Sequence, residues 1–261
     1  MKVLIACEES QSICKEFRKL GHEAYSCDLL PCSGGNYDWH FQDDVIEVMN
    51  GWFDMNEVTI NNNFALKFDV WSGNEEFEYK EHRIRQVGWN WDLMIAHPPC
   101  TYLAVSGNRW LYNKDGSKNT ERWNNQAKAL DFVKALMSAP IKRIAIENPI
   151  SVISSEIRKP DQIVQPWMFG DKAQKSTCFW LKNLPMLKPT NIVEKGEFFE
   201  WTEKKTGKTL RQPLWYYEAL QKAKTPEERR TLRSKTFPGM AKAIAEQWSD
   251  FSNYIHQTKL F

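Results

Sequence analysis

The chain has 261 residues, 42% of them hydrophobic and 26% charged, which suffices for one full-sized α/β domain with a buried core. Its formal net charge of +2 excludes a protein that holds nucleic acid by bulk phosphate neutralisation, so any such contact has to be local. The opening apolar run, Met1 to Cys7, is too short for a signal peptide or a membrane span, which predicts a cytoplasmic protein with no membrane partner.

Six cysteines, Cys7, Cys14, Cys27, Cys32, Cys100 and Cys178, lack the paired short spacings of a zinc site, and a chain of this size needs no disulfide staples. Free thiols and no metal are expected. Most of the twelve tryptophans read as core or edge residues, with a minority available to stack on bases.

In chain order, Lys2 to Ala6 reads as a buried strand, Gln11 to Leu20 as an amphipathic helix, and Glu23 to Cys27 as a second strand after the Gly21 break. Residues 51 to 88 interrupt the pattern with mixed aromatic and polar residues and with turn signals at Asn61-Asn62-Asn63 and Ser72-Gly73-Asn74, which predicts a β-hairpin insertion. Leu93 to Ala96 is a further strand ending at His97-Pro98-Pro99-Cys100. Arg122 to Met137 has helical periodicity, and Arg143 to Ile146 is a strand ending at Glu147-Asn148-Pro149. Residues 183 to 235 carry a hairpin turn at Lys204 to Lys208 and a charged helix with Arg229, Arg230 and Arg233, and are read as a small second lobe. The rest, 1 to 182 and 236 to 261, is read as the principal domain.

Alternating strands and helices predict an α/β fold: a mainly parallel, Rossmann-like sheet with helices on both faces and ligands at the C-terminal strand ends. Those ends hold Cys7-Glu8-Glu9, Asp28, Cys100 and Glu147. Two prolines before Cys100 stiffen the turn and fix the direction of the next side chain, which suits a nucleophile. A lone cysteine is more often a buried structural residue, and a lone glutamate more often a surface carboxylate. Two such strand-end motifs in one sheet reverse that balance.

Together, Pro98-Pro99-Cys100 with Ser106-Gly107, and Glu147-Asn148-Pro149, resemble motifs of the DNA cytosine-C5 methyltransferase family, most closely its compact phage and prophage members. Phe237 to Ala245 is similar to the segment that completes that family's cofactor site. The resemblance implies a methyltransferase sheet, S-adenosylmethionine as cofactor, DNA as partner, and a phage- or prophage-encoded role in restriction-modification or anti-restriction. It implies Cys100 as the nucleophile that adds to cytosine C6, Glu147 as its acid partner at the N3 and amine edge, and Pro99 and Lys175 as supporting catalytic residues. Lys175 stands where the family carries an arginine on a strand. Ala6, Cys7, Glu8, Glu9, Asp28, Asp44, His97 and Pro98 are implied to line the cofactor slot. Ser106, Arg109, Arg229, Arg230 and Arg233 are implied to contact DNA, with 183 to 235 as a target-recognition lobe. A base that reacts at C5 has to be flipped out of the stack, and the loop from Thr101 to Ser117 is expected to close behind it.

One departure stands out: the loop after the first strand, Cys7-Glu8-Glu9-Ser10-Gln11, lacks the glycines most members carry there. Two alternatives keep the same residues. One is a cysteine-dependent C5 modification of another pyrimidine, in RNA or as a free nucleotide, or with a group other than methyl. The other is a catalytically idle nucleic-acid-binding homologue.

Overall fold

The computed structural model describes residues 1–54, 77–80, 83–86, 90–234 and 236–249. Strand β1 (Lys2–Ala6) is apolar after its first residue because both of its faces are covered. Helix α1 (Ser12–Lys19), β2 (Glu23–Asp28), β3 (His40–Gln42) and α2 (Val45–Met49) follow, then β4 (Trp52–Asp54), β5 (Phe77–Lys80) and β6 (Arg83–Gln86). Next come β7 (Leu93–Ala96), α3 (Thr120–Met137), β8 (Arg143–Pro149), α4 (Ile153–Glu156), β9 (Gln162–Val164) and β10 (Thr177–Lys182). The chain ends with β11 (Phe198–Thr202), β12 (Thr209–Pro213), α5 (Leu214–Lys222), α6 (Pro226–Ser234) and α7 (Pro238–Ser249).

Seven strands form the central sheet in the order β3-β2-β1-β7-β8-β10-β9. β3, β2, β1, β7 and β8 pair in parallel, whereas β10 runs antiparallel to both of its neighbours. Side-chain alternation divides the core between the two faces. Val3, Ile5 and Phe179 pack with Ile13 and Phe17 of α1 and with Met240, Ile244 and Trp248 of α7. Leu4, Ala6 and Ile146 pack with Val48 of α2, Val133 and Leu136 of α3 and Ile153 of α4. This is the α/β, Rossmann-like architecture expected, with helices on both faces.

The insertion contributes a three-stranded antiparallel sheet, β4-β6-β5, in which β5 and β6 pair as a hairpin. The turn signals at Asn61 to Asn63 and Ser72 to Asn74 lie outside the described residues. The antiparallel pair β11 and β12 is joined through Lys204 to Lys208. No helix among the described residues is long and apolar enough to cross a membrane, and all six cysteines are unpaired.

The loop between β1 and α1 shapes the C-terminal edge of the sheet. Glu8 is only 4% exposed. Its carboxylate folds over the start of α1, accepting the Ile13 N–H at 2.8 Å and the Cys14 N–H at 3.3 Å. Those donors would otherwise be orphaned at a helix start, where the dipole also favours negative charge.

Burial raises the Glu8 carboxyl above the ordinary glutamate value, against the lowering effect of His97 and of the two N–H bonds. A carboxyl that holds its proton more tightly when folded contributes stability below the unfolded value and loses it as pH rises through the folded one. Replacing Glu8 by Gln keeps an acceptor oxygen and removes the charge. Urea unfolding of Glu8→Gln across pH should therefore give a flatter profile above the ordinary glutamate pKa of about 4.3. Glu8→Ala should lose about 1–2 kcal/mol with the cap. An unchanged pH slope in Glu8→Gln would contradict this account.

Candidate active site

Register brings the strand ends to one level. Ala6 pairs with Cys27 on one side and with Ala96 on the other, and Ala96 pairs with Ile146. The residues that follow, Asp28, Cys7, His97 and Glu147, therefore stand in a row along β2, β1, β7 and β8. The His97 N–H donates to the Ala6 carbonyl at 2.9 Å, extending the ladder by one rung.

At this edge His97 Nδ1 lies 3.0 Å from Glu147 Oε2, and both side chains are largely buried. Burial by itself raises the Glu147 carboxyl, but the His97 hydrogen bond and charge, with the Lys175 ammonium, outweigh it and hold the group below the ordinary glutamate value. The next residue, Asn148, is 1% exposed and donates from Nδ2 to the Pro98 carbonyl at 2.8 Å. One side chain thus ties the two sequence motifs together. Pro98 is buried, while Pro99 and Cys100 are exposed.

Cys100 is accessible to solvent, yet enough protein surrounds the sulfur that lost hydration raises its thiol pKa. Glu147 adds to that rise, and Lys175 and Arg233 oppose it. Lys175 reaches this point because β10 is reversed. Phe179 pairs with Glu147 and Thr177 with Pro149, so the chain ahead of Thr177 meets the same edge. Lys175 is not on a strand, as its sequence context suggests, but in the coil before β10. Gln165 holds that coil: its Oε1 accepts the Lys175 N–H and its Nε2 donates to Ser176 Oγ, each at 2.9 Å. Sequence reasoning missed Gln165, because nothing local marks a glutamine whose partners lie a strand away.

Arg233 approaches from α6 with its guanidinium 4.9 Å over the Tyr216 ring. Arg229 is exposed on the same helix, and the side chain of Arg230 lies outside the described residues.

The segment after Cys100 carries regular local structure. Val105–Leu111 is a 3₁₀ helix. It is tied to α3 by Arg122 Nη2 on the Thr101 carbonyl (2.8 Å), Gln126 Nε2 on the Tyr102 carbonyl (3.0 Å) and Trp123 Nε1 on the Leu111 carbonyl (3.1 Å). A bridge between Ala104 and Ser151 joins it to the end of β8. Local polar bonds thus brace this stretch against α3 and the end of β8. Ser106 and Arg109 are exposed on it. Beside them Trp110 is 55% exposed, with Arg109 stacked 4.5 Å over its ring. Trp110 was not singled out from the sequence, although an Arg-Trp pair shortly after the cysteine is a readable signal.

On the other side of the row, Cys7 (φ 60) and Gln11 (φ 58) adopt left-handed backbone without being glycines. Gln11 fixes the facing loop by donating from Nε2 to the Asn36 carbonyl (2.8 Å) and accepting the Asn36 N–H at Oε1 (3.0 Å). A Cβ on Gly34 would lie 2.6 Å from Gln11 Cβ and from the Ser10 carbonyl, so glycine is required for this approach. Asp28 Oδ1 accepts the Leu30 N–H and Asp44 Oδ1 the Ile46 N–H, both at 2.9 Å. The charges of Asp28 and Asp44 add to burial in raising the Cys7 thiol, which sets both acids close to the β1 end. The Glu9 carbonyl accepts the Ser33 N–H at 2.9 Å. An open cleft of about 380 Å³ lies between this loop and the turn before α7, lined in part by Ser10, Ser33, Trp215, Phe237 and Pro238.

The site residues therefore fall into two groups. Cys100, Glu147, Lys175, Arg233 and His97 converge electrostatically. Ala6, Cys7, Asp28 and Asp44 gather around the ends of β1 and β2, with Glu8 turned inward onto α1.

Two variants isolate the charges at the thiol. Glu147→Gln should lower the pH at which Cys100 becomes alkylated, and Lys175→Met should raise it. Iodoacetamide rates followed by mass spectrometry of the Cys100 peptide read both shifts, and shifts in the same direction would disprove the arrangement.

No protein-family model matches the chain, and no curated protein sequence matches it. Among solved structures the chain is similar to a candidate DNA modification methyltransferase encoded within a prophage of E. coli, at 13% identity and a TM-score of 0.42. The match covers 84% of this chain and 64% of that one, so the chain spans somewhat under two thirds of that protein's length.

Proposed function

We propose that the protein is a DNA cytosine-C5 methyltransferase in which Cys100 is the nucleophile. The reading is carried by the convergence of one accessible thiol, one buried carboxylate and one ammonium, Cys100, Glu147 and Lys175, at the C-terminal edge of a parallel sheet. Cytosine C5 is too weak a nucleophile to take a methyl group unaided. Cys100 Sγ bonds to C6, and the electron pair of the C5–C6 double bond becomes available at C5 while the N3 edge takes a proton. Glu147 faces the N3 and amine edge and stabilises the charge that develops there. After C5 has been methylated and its hydrogen lost as a proton, the Sγ–C6 bond breaks and the thiol is restored.

S-adenosylmethionine supplies an electrophilic methyl group when bound. The residues around the ends of β1 and β2 fit it: Asp28 at the end of β2 and Asp44 before α2 suit ribose and adenine, and the left-handed turn at Cys7 opens the loop in place of glycine. Glu8 acts through its role in forming α1 rather than by direct contact. The cleft beside Phe237 and Pro238 supports the reading of that segment as part of the cofactor site.

DNA as the substrate is supported by Arg109 and Trp110, exposed on the segment that follows Cys100, and by Arg233, whose charge reaches the thiol. An exposed tryptophan stacked by arginine offers a face for an unpaired base. Residues 183 to 235 act here as a short target-recognition lobe, with Arg229 toward phosphate.

The decisive experiment is covalent trapping. DNA containing 5-fluorocytosine, with S-adenosylmethionine, should give a stable adduct that Cys100→Ser abolishes. Labelled cofactor offered with DNA, RNA and dCMP separately should label DNA; labelling of RNA or dCMP alone would move the activity to another pyrimidine. Trp110→Ala should weaken DNA binding by about 1–3 kcal/mol while leaving Cys100 alkylation unchanged. Equal binding by the variant would remove Trp110 from the interface.

A further inference from the structure

The proposed addition demands a proton at cytosine N3, and Glu147 as it stands is a poor source. A carboxylate held ionised is acceptor-only: it can take a hydrogen bond from the amine but has no proton to give N3. Among the described residues, His97 is the titratable side chain hydrogen-bonded directly to it, Nδ1 to Oε2 at 3.0 Å. The imidazole is anchored by that bond alone, since its Nε2 is buried without a hydrogen-bond partner among the described residues. Its backbone is fixed by the β1 ladder through the Ala6 carbonyl. The charged and titratable groups that act on the pair are Glu8, whose carboxyl feels the His97 charge, Lys175, which acts on Glu147, and the thiols of Cys100 and, on the neighbouring strand β10, Cys178, both of which feel Glu147.

We infer that His97 is a positioning residue that shares a proton with Glu147, loading the carboxylate through Nδ1 so that Glu147 can protonate N3 as Cys100 Sγ bonds to C6. The protons balance without an outside acid. The thiol proton of Cys100 is taken up by the His97–Glu147 pair, and the pair delivers one proton to N3. On elimination the proton returns along the same route. Protonating Glu147 also removes the charge that disfavours the thiolate, so activation of the nucleophile and of the base are one coupled event. The inference deepens the methyltransferase reading and rests on it for the identity of the base.

His97→Asn separates geometry from titration, because the asparagine Nδ2 occupies nearly the place of Nδ1 and donates to Glu147 but carries no exchangeable charge. The first measurement needs no substrate: the rate of Cys100 alkylation against pH, followed on its peptide. The native chain should show two inflections, one from the thiol and one from the His97–Glu147 pair. His97→Asn should show only the first, and so should Glu147→Gln, each checked for a native melting transition. The second measurement is adduct formation on 5-fluorocytosine DNA, which His97→Asn should slow by about 100-fold with DNA affinity unchanged. A single inflection in the native chain, or one profile shared with His97→Asn, overturns the inference. A two-step native profile with no adduct on DNA leaves the proton pair standing and defeats the methyltransferase reading instead.

Discussion

Everything at the C-terminal edge of the sheet depends on the parallel register of β1, β7 and β8. Ala6, Ala96 and Ile146 lie level, and that alignment carries His97 and Glu147 out of the sheet side by side. A slip of one residue would exchange the faces on which side chains point. It would bury Glu147 among α3 and α4 and turn Ile146 toward the cleft. Because both faces of these strands are covered by helices, a slip that drives the Glu147 carboxylate into apolar packing is very costly. The hydrogen bond from Asn148 to the Pro98 carbonyl then transmits this register to the turn that bears Cys100.

Opposed electrostatic demands meet within that small space. A thiolate at Cys100 is disfavoured by lost hydration and by Glu147, while ionisation of Glu147 is favoured by His97 and Lys175 against its own burial. Lys175 assists both anions and cannot serve one without the other. Its presence follows from the reversed direction of β10, since a parallel strand there would bring the opposite end of the segment to this edge. The antiparallel strand thus decides which charge stands at this edge of the sheet. Arg233, from the far end of the chain, adds a second positive charge and links the segment before α7 to Cys100.

The loop after β1 solves with side chains what glycine commonly solves with conformational freedom. Left-handed backbone at Cys7 and Gln11 is unfavourable for both residues. It is sustained by the pair of bonds from Gln11 to Asn36 and by the carboxylate of Glu8 over α1. The acid that the family resemblance sets against the cofactor is in this chain part of the helix start. The loop so held lies beside Asp28 and Asp44 at the ends of β1 and β2.

The sequence by itself determined β1, β2, β7 and β8 of the central sheet, helices α1 and α3 and the two strand-end motifs, because hydrophobic periodicity and proline placement are local, whereas β3, β9 and β10 carried no such signal. Leu93–Ala96 was readable to the residue, and α1, β2 and α3 differ from their expected limits only at the ends. Cys100 and Glu147 stood out for the same reason, each following an apolar run. What only the tertiary structure decided is who faces whom. His97 meets Glu147, Gln165 holds the Lys175 coil, Glu8 caps α1, and the stretch after Cys100 is braced by Arg122 and Gln126. Most of these contacts span tens of residues of chain. Their partners are chosen by strand order and direction, which a linear pattern of apolar and polar residues does not encode.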